Sequence, residues 1–443
     1  MNLRLFCLTI VMAAGGSVSL HGQVMGLKDC MEYAISNSTK VRIRNAETAD
    51  ARIARRDAVL RAFMPSISAD SYAYYNFGRS IDPQTNTYFN QTSFHNSYGI
   101  SAGIVLFDGF SAVNNMRISK TGLDISRSHE RQAQADICLA VMEAYYNSVY
   151  YSRLASIYQE RVNTVRNMLD KIRRQEQLGQ KGYADVIQAE SDLADSEYEL
   201  VNARNMSRDQ LTILSDLMFW PDDRPLRIDT VLTIPDKLQD MAFESADAAL
   251  ENNPDYRIAA ANLLNSQREL STARWQLFPK LSLYAGWNTN YFTMDGSTTA
   301  PFAEQFRNNS GEYVQLSLSI PLFDRLQKHS TVARKRNALT VAQAEKEQKS
   351  REIEQEYRRA TQDCEGAIEA YRQAAGKAGI QEEAYRLNLK KLEQGLVSQL
   401  EFRAINDALL KSKADLMNSL FKLLIKQSVV RYYEGVDYID QNK

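Results

Sequence analysis

Val314, Leu316, Leu318, Ile320 and Leu322 alternate strictly with Gln315, Ser317, Ser319 and Pro321. Tyr98, Ile100, Ala102, Ile104 and Leu106 alternate in the same way with Gly99, Ser101 and Gly103. A period of two puts one set of side chains on each face of a strand. Leu281, Leu283, Ala285 and Trp287 form a third such run, and Ile67, Ala69, Ala73, Tyr75 and Phe77 a weaker fourth. The strands are expected at about 66–78, 97–107, 281–292 and 312–323. Each run spans about ten residues, the length a tilted strand needs to cross a bilayer. Aromatic residues crowd the ends (Tyr74, Tyr75, Phe77, Tyr98, Phe107, Tyr284, Trp287, Tyr291, Phe292, Tyr313), as in the girdles of a membrane barrel. Lys and Arg are nearly absent, Arg79 and Arg307 falling in polar connections over 78–96 and 289–311. Two soluble hairpins packed on helices would alternate similarly.

The rest of the chain reads as helix. No proline interrupts Asp108 to Leu178 or Asp324 to Gln394, so each stretch predicts a helix of about 70 residues, ~105 Å long. A shorter helix is predicted from Leu27 to Phe63, ending at Pro65. Glycine-bearing tips, Gly179-Gln180-Lys181-Gly182 and Gly395-Leu396-Val397-Ser398, follow the long helices, and return helices run from Tyr183 to Met218 and from Ser398 to Tyr432. The first and return helices together match the long one in length, so the pair can stack end to end beside it. Val186, Leu193 and Leu200, and Phe402, Leu409, Leu416 and Leu423, recur every seven residues, the coiled-coil spacing. Such helices give a rod or tube; an ordinary helical bundle is the plainer alternative.

The chain is duplicated at a register of 214–216 residues. Phe63-Met64-Pro65-Ser66-Ile67-Ser68 matches Leu277-Phe278-Pro279-Lys280-Leu281-Ser282, and Val105-Leu106-Phe107-Asp108 matches Pro321-Leu322-Phe323-Asp324. Gly179 matches Gly395. Length alone, 443 residues, suggests about three domains of ~150 residues. The repeat replaces that count with two copies of one unit. They occupy 23–220 and 243–434, joined by a linker over 221–242 and followed by a tail over 435–443.

Composition narrows the classes. With 53 Lys+Arg against 54 Asp+Glu there is no electrostatic footprint for nucleic acid, which is not expected as a partner. A mean hydropathy of −0.42 excludes a polytopic helical membrane protein. Arg4, the apolar run Leu5 to Ala14 and the small residues Gly15-Gly16-Ser17-Val18-Ser19 form a signal peptide over 1–22, cut after Ser19 or Gly22. No lipid anchor is expected. Cys30, Cys138 and Cys364 then remain, and buried single thiols are favoured over a disulfide pair. The histidines, His21, His95, His129 and His329, are scattered, and no Ser/His/Asp set, phosphate loop or metal spacing is visible. No enzyme activity, metal or cofactor is expected. Four strands cannot close a barrel and open edges are not tolerated in lipid, so several copies must assemble.

With its duplicated Pro-Ser/Lys strand starts, Leu-Phe-Asp strand exits and glycine tips, the mature chain resembles the TolC-type outer-membrane efflux proteins along nearly its whole length. The most specific pieces are Pro321-Leu322-Phe323-Asp324 and Gly395 followed six residues later by Glu401. The resemblance implies a mainly α fold with a membrane β-barrel portion. A homotrimer would close a twelve-stranded barrel in outer-membrane lipid, continuous with a coiled-coil tunnel in the periplasm. It implies passive export, driven by an inner-membrane transporter through a periplasmic adaptor (membrane fusion) protein. An acid in the position of Glu401 helps form the family's aperture ring; a second family acid is replaced here by Ala404. Asp185 is the repeat partner of Glu401, and a trimer would gather about six carboxylates around a mouth. Either acid could instead simply favour a helix amino terminus. Leu178, Gly179, Gln180, Gln394, Gly395 and Leu396 are the implied adaptor-docking tips. The competing class is a secreted periplasmic coiled-coil scaffold without a channel.

Overall fold

The computed structural model describes residues 24–81, 86–90, 92–221, 223–230, 243, 245–295, 298–394 and 396–442. The signal peptide expected over 1–22, most of the linker expected over 221–242, and Gly395 lie outside the described residues.

Helices α1 (Leu27–Asn37) and α2 (Thr39–Phe63) lead into β1 (Ser66–Asn76). A small hairpin, β2 (Arg79–Ile81) and β3 (Tyr88–Asn90), precedes β4 (Ser93–Phe107). The long helix α3 (Ser111–Gln177) and the return helix α4 (Tyr183–Met218) complete the first repeat. The second runs α5 (Ala246–Asn252), α6 (Pro254–Trp275), β5 (Lys280–Met294), α7 (Phe302–Asn308), β6 (Gly311–Ser319), α8 (Gln327–Glu393) and α9 (Gln399–Tyr433). Both long helices have 67 residues, ~100 Å, and their ends correspond at a shift of 216. Among the described residues no helix is long and apolar enough to cross a membrane.

Several expected elements differ: the polar connection over 78–96 holds the β2–β3 hairpin, and β4 starts at Ser93 instead of about 97. The single helix over Leu27–Phe63 is broken at Ser38, whose buried hydroxyl accepts from Val41 N at 3.4 Å and caps a new helix. Asn253, with Pro254 at the first helical position, breaks the second repeat at the corresponding point. The polar connection over 289–311 contains α7, because Phe302 and Phe306 pack against Tyr98, Tyr291 and Trp287. The last strand stops at Ser319, two residues before Pro321, which has no amide hydrogen for a ladder.

Each long helix is flanked by two shorter ones laid end to end. Alongside α3 lie α2 and α4; alongside α8 lie α6 and α9. Where α1 meets the end of α4, at the waist of the rod, Met31, Val141, Met142, Val149, Leu214 and Met218 form the largest buried cluster. Val186, Leu200, Phe402, Leu409 and Leu423 of the seven-residue seams are buried too. Arg166–Glu197, at 2.7 Å, is matched in the second repeat by Lys413–Glu382 at 3.3 Å. Basic and acidic partners have exchanged helices while the pairing position has stayed. Such exposed pairs are worth only ~0–1 kcal/mol each, so the buried seams hold the coils and the ion pairs set their register.

The four long strands form one antiparallel sheet in the order β1-β4-β5-β6. Ser66 opposes Gly103, and their repeat counterparts Lys280 and Ser319 oppose each other, so the two hairpins share one register. Directly opposed residues share a face. Ile67, Ala69, Ile100, Ala102, Ile104, Leu281, Leu283, Ala285, Trp287, Val314, Leu316 and Leu318 therefore make one apolar surface. Ser66, Ser68, Ser101, Gly103, Tyr284, Gly286 and Tyr313 lie on the other. The Tyr313 ring crosses Gly286 so closely that an added Cβ would fall 2.6 Å from it.

The Leu-Phe-Asp exits have a structural reason. Asp108 Oδ2 accepts from Ala112 N at 3.1 Å and Asp324 Oδ2 from Lys328 N at 2.9 Å, so each aspartate caps its long helix. The chain turns through positive φ at Gly109 and Phe110, and at Arg325 and Leu326.

Cys30, Cys138 and Cys364 are buried and free. Burial, helped by Asp29, pushes the Cys30 thiol up to about 12; burial and Asp437 do the same for Cys138, also to about 12. Burial, then Glu365, raises Cys364 to about 11. Because the thiolate is the nucleophile, the folded protein at pH 8 should leave all three unlabelled by a maleimide that labels the urea-unfolded chain within minutes. Mass spectrometry showing rapid labelling of the native protein would contradict this packing.

Candidate functional site

Two regions carry the features that sequence reasoning singled out: the open sheet and the helical tips at the far end of the rod. The apolar face of the sheet is largely uncovered in the single chain. Val314 is 78% exposed in the single chain, Leu316 and Leu318 are exposed beside it, and Ile67 and Tyr75 are exposed on the same face of the opposite edge strand. Such a face in water is costly, at ~25 cal/mol per Å². The outer ladders of β1 and β6 have no strand beside them within the described residues.

At the first tip the α3 helix ends with Gly179 at φ 72°, its amide donating to Glu176 O at 2.8 Å while Gln180 N donates to Gln175 O at 2.8 Å. This is the left-handed glycine termination expected of a sharp reversal. Gly182 then starts α4. Its amide donates to Asp185 Oδ2 at 3.0 Å, Asp185 N donates to Gly182 O at 3.0 Å, and Lys181 Nζ lies 3.9 Å from the same carboxylate. At the second tip Gln394 ends α8, with Leu396 N donating to Lys391 O at 2.9 Å. Ser398 and Glu401 form a reciprocal cap: Glu401 N donates to Ser398 Oγ at 3.2 Å and Ser398 N to Glu401 Oε2 at 3.1 Å. The backbone bond from Ser398, then the hydroxyl of the same residue, holds the Glu401 carboxyl below its ordinary range.

Asp185 and Glu401 thus occupy equivalent places, each three residues into its helix and each accepting from its own cap amide. Among the described residues no hydrogen bond or ion pair joins them. Around them the tips are apolar: Leu178, Tyr183, Leu396 and Leu400 are all at least 70% exposed. Tyr183 and Leu400 escaped the sequence reading because neither has an apolar repeat counterpart at a matching tip position: Gln399 and Ala184 stand there.

Sequence reasoning also missed the charge cluster that lies behind the tips. Arg403 of α9 donates to Asp192 and, at 3.0 Å, to Asp195, both on α4. Arg161 of α3 pairs with Asp407 of α9 at 2.8 Å. Thr164, Met168, Ile172, Ala189 and Phe402 line the cavity beside this cluster. It joins the two repeats within one chain. No single-sequence signal reveals a contact between residues 211 positions apart.

The family model described as outer membrane efflux protein matches residues 34–218 and 246–431. Among solved structures the chain is similar to VceC from Vibrio cholerae (14% identity, 93% of this chain and 96% of that one, TM-score 0.75). It is also similar to a membrane protein from Pseudomonas aeruginosa (15% identity, 94% and 91%, TM-score 0.76) and to the CmeC outer membrane channel of Campylobacter jejuni (13%, 94% and 85%, TM-score 0.74). At these identities the likeness concerns the fold. No curated protein sequence matches the chain.

The Glu401 cap yields a pH prediction. A depressed carboxyl contributes fully above the ordinary carboxylate range, and its contribution is lost as pH falls through the depressed value. Amide-exchange protection at Glu401 and Phe402 should therefore fall several-fold on acidification below that range. Glu401→Ala should show the low protection already at neutral pH and flatten the pH response; unchanged protection in that variant would refute the cap.

Proposed function

The chain belongs to the outer membrane efflux protein family, and on that premise we propose that three copies form a passive export duct from the periplasm to the exterior. Each copy contributes four strands to a twelve-stranded barrel in outer-membrane lipid, and its paired coils to a periplasmic tunnel. An inner-membrane transporter supplies the energy through a periplasmic adaptor. The observation that carries this reading is the amphipathic four-stranded sheet with two free edges, continuous with helices ~100 Å long. In hydrocarbon, unpaired edge amides and carbonyls each cost several kcal/mol, so closure by further copies is the arrangement lipid accepts. The outward face is apolar and the opposite face polar and glycine-rich, as a lipid-facing wall and a wet lumen require.

The repeat also supplies the register of closure. Inside one chain, β4 of the first unit pairs with β5 of the second, Gly103 opposite Tyr284 and Ser101 opposite Gly286. Shifting each by one repeat sets β6 of one copy against β1 of the next, with Ser319 opposite Asp70 and Ser317 opposite Tyr72. The tips point away from the sheet. Leu178, Gly179, Gln180, Gln394, Gly395 and Leu396 are the residues that would meet the adaptor, the exposed Leu178, Tyr183, Leu396 and Leu400 giving it apolar side chains to dock on. Asp185 and Glu401 stand directly behind these residues. In a trimer these carboxylates would place about six negative charges at the mouth and favour cations.

Two experiments test this reading. Ser317→Cys combined with Tyr72→Cys should give oxidised, trimer-sized bands from outer membranes, whereas Leu318→Cys with Tyr72→Cys, one residue out of register, should not. Recovery of the mature protein as a soluble periplasmic species would overturn the channel in favour of a scaffold. In planar bilayers, Asp185→Ala together with Glu401→Ala should lower cation selectivity and alter conductance; unchanged selectivity would remove both residues from the aperture.

A further inference from the structure

Phe107, at the end of β4, lies opposite Leu281 of β5 and therefore on the apolar face of the sheet. From there a row of aromatic rings runs onto the helices. Ring centroids of Phe107 and Phe110 are 5.5 Å apart, those of Phe110 and Trp275 5.1 Å, and those of Trp275 and Phe278 4.7 Å. The apolar face thus continues into the groove between α3 and α6.

Two helical turns farther from the sheet, ~10 Å on, that groove becomes cationic. Arg117 follows Phe110 along α3, and Arg268 precedes Trp275 along α6, by seven residues each. Between the rings and the arginines, Asn114 Nδ2 donates to Thr272 Oγ1 at 3.0 Å and ties the two helices together. Arg268 donates to the Arg117 carbonyl at 2.7 Å and to the Thr121 hydroxyl. Partial burial, then the like charge of Arg117, pulls the Arg268 guanidinium below its ordinary range. Among the described residues neither arginine pairs with a carboxylate. The acids on these stretches are engaged elsewhere: Asp108 caps α3, Asp124 lies 3.7 Å from Arg127, and Glu269 binds Lys335 at 2.7 Å.

Resting on the proposed placement of the sheet in lipid, we infer that the α3/α6 groove holds one anionic phospholipid of the leaflet facing the periplasm. Its phosphate sits on Arg117 and Arg268, and its acyl chains lie along the rings of Phe107, Phe110, Trp275 and Phe278. Guanidinium groups match phosphate oxygens with paired, charge-assisted hydrogen bonds. A phosphodiester between the two arginines also removes their mutual repulsion. A zwitterionic headgroup would bring a further cation to the same place, so net negative charge is what the groove selects. Helical side chains lean toward the helix start, which for Arg117 is the sheet end of α3, so its charge is carried toward the lipid. The repeat does not reproduce the site. Arg117 corresponds to Ala333, Arg268 to Ala54 and Trp275 to Arg61, which gives one site per chain.

The test uses the full-length protein, delipidated in detergent and then given palmitoyl-oleoyl phosphatidylglycerol or the matching phosphatidylcholine. Native mass spectrometry counts the lipid retained. One phosphatidylglycerol per chain should stay bound, at least about fivefold more tightly than phosphatidylcholine. Arg117→Gln with Arg268→Gln should abolish that preference, while Arg208→Gln, on α4, should keep it. If the double variant does not fold, Arg117→Gln alone, at an exposed position, should weaken the preference at least about twofold. Dihexanoyl phosphatidylglycerol should displace the bound lipid and inorganic phosphate should not. Equal retention of the two lipids overturns the inference. So does an undiminished preference in the Arg117 and Arg268 variants, or an equal loss in Arg208→Gln. Displacement by phosphate alone overturns it too, by making the groove a site for free anions. Failure of the membrane reading is distinguishable, because the unsubstituted protein would then stay in solution without detergent.

Discussion

Backbone amides and carbonyls have no water to turn to inside hydrocarbon, and the proposed membrane placement of the four-stranded sheet makes that the governing constraint. Two hairpins in the same register, joined edge to edge by β4 and β5, satisfy every interior ladder and leave β1 and β6 open. A four-stranded sheet in lipid is stable only when those edges are paired. The side chains agree with the backbone. Leucine, isoleucine and valine cover one face, while serine, glycine and tyrosine cover the other, with glycine where a tyrosine ring crosses the neighbouring strand. A bulkier residue at Gly286 would push Tyr313 off that face.

The same duplication fixes the helical half. An aspartate just past each second strand caps each 67-residue helix, so sheet and rod are joined by one short, twice-used device. The waist cluster, where α1 and α4 abut beside α3, lets two short helices stand in for one long partner. Breaks at Ser38 and Asn253 fall at corresponding points, each with a polar side chain satisfying the amides that the interruption frees. Repetition also permits divergence: Arg166–Glu197 keeps its place while exchanging charges in the second unit. The Arg403 cluster has no counterpart at all among the residues one repeat away. Two repeats that share a backbone plan thus differ in the side chains at the positions where they meet within the chain.

Residue patterns alone made much of this legible. Alternation, strict in two runs and weaker over 67–77, located four strands because burial or lipid on one side forces a period of two. Freedom from proline located the long helices, and the self-match located the repeat. Gly179, Asp185 and Glu401 were legible because reversals and helix starts have local chemistry. Tyr183 and Leu400 were not, since lone exposed apolar residues have no period to reveal them. The α7 helix was hidden because its polar surroundings resemble a loop and only packing of Phe302 and Phe306 on the strands defines it.

The sequence by itself determined the long helices, the four long strands, the doubling and the two faces of the sheet, since each follows from interactions within a few residues or from one fixed shift. Tertiary structure decided which strands are neighbours, where the rod has its core, and that Arg403 meets Asp192 across the repeats. Those contacts join residues far apart in the chain, and their energies depend on burial and geometry that arise only when the helices have packed.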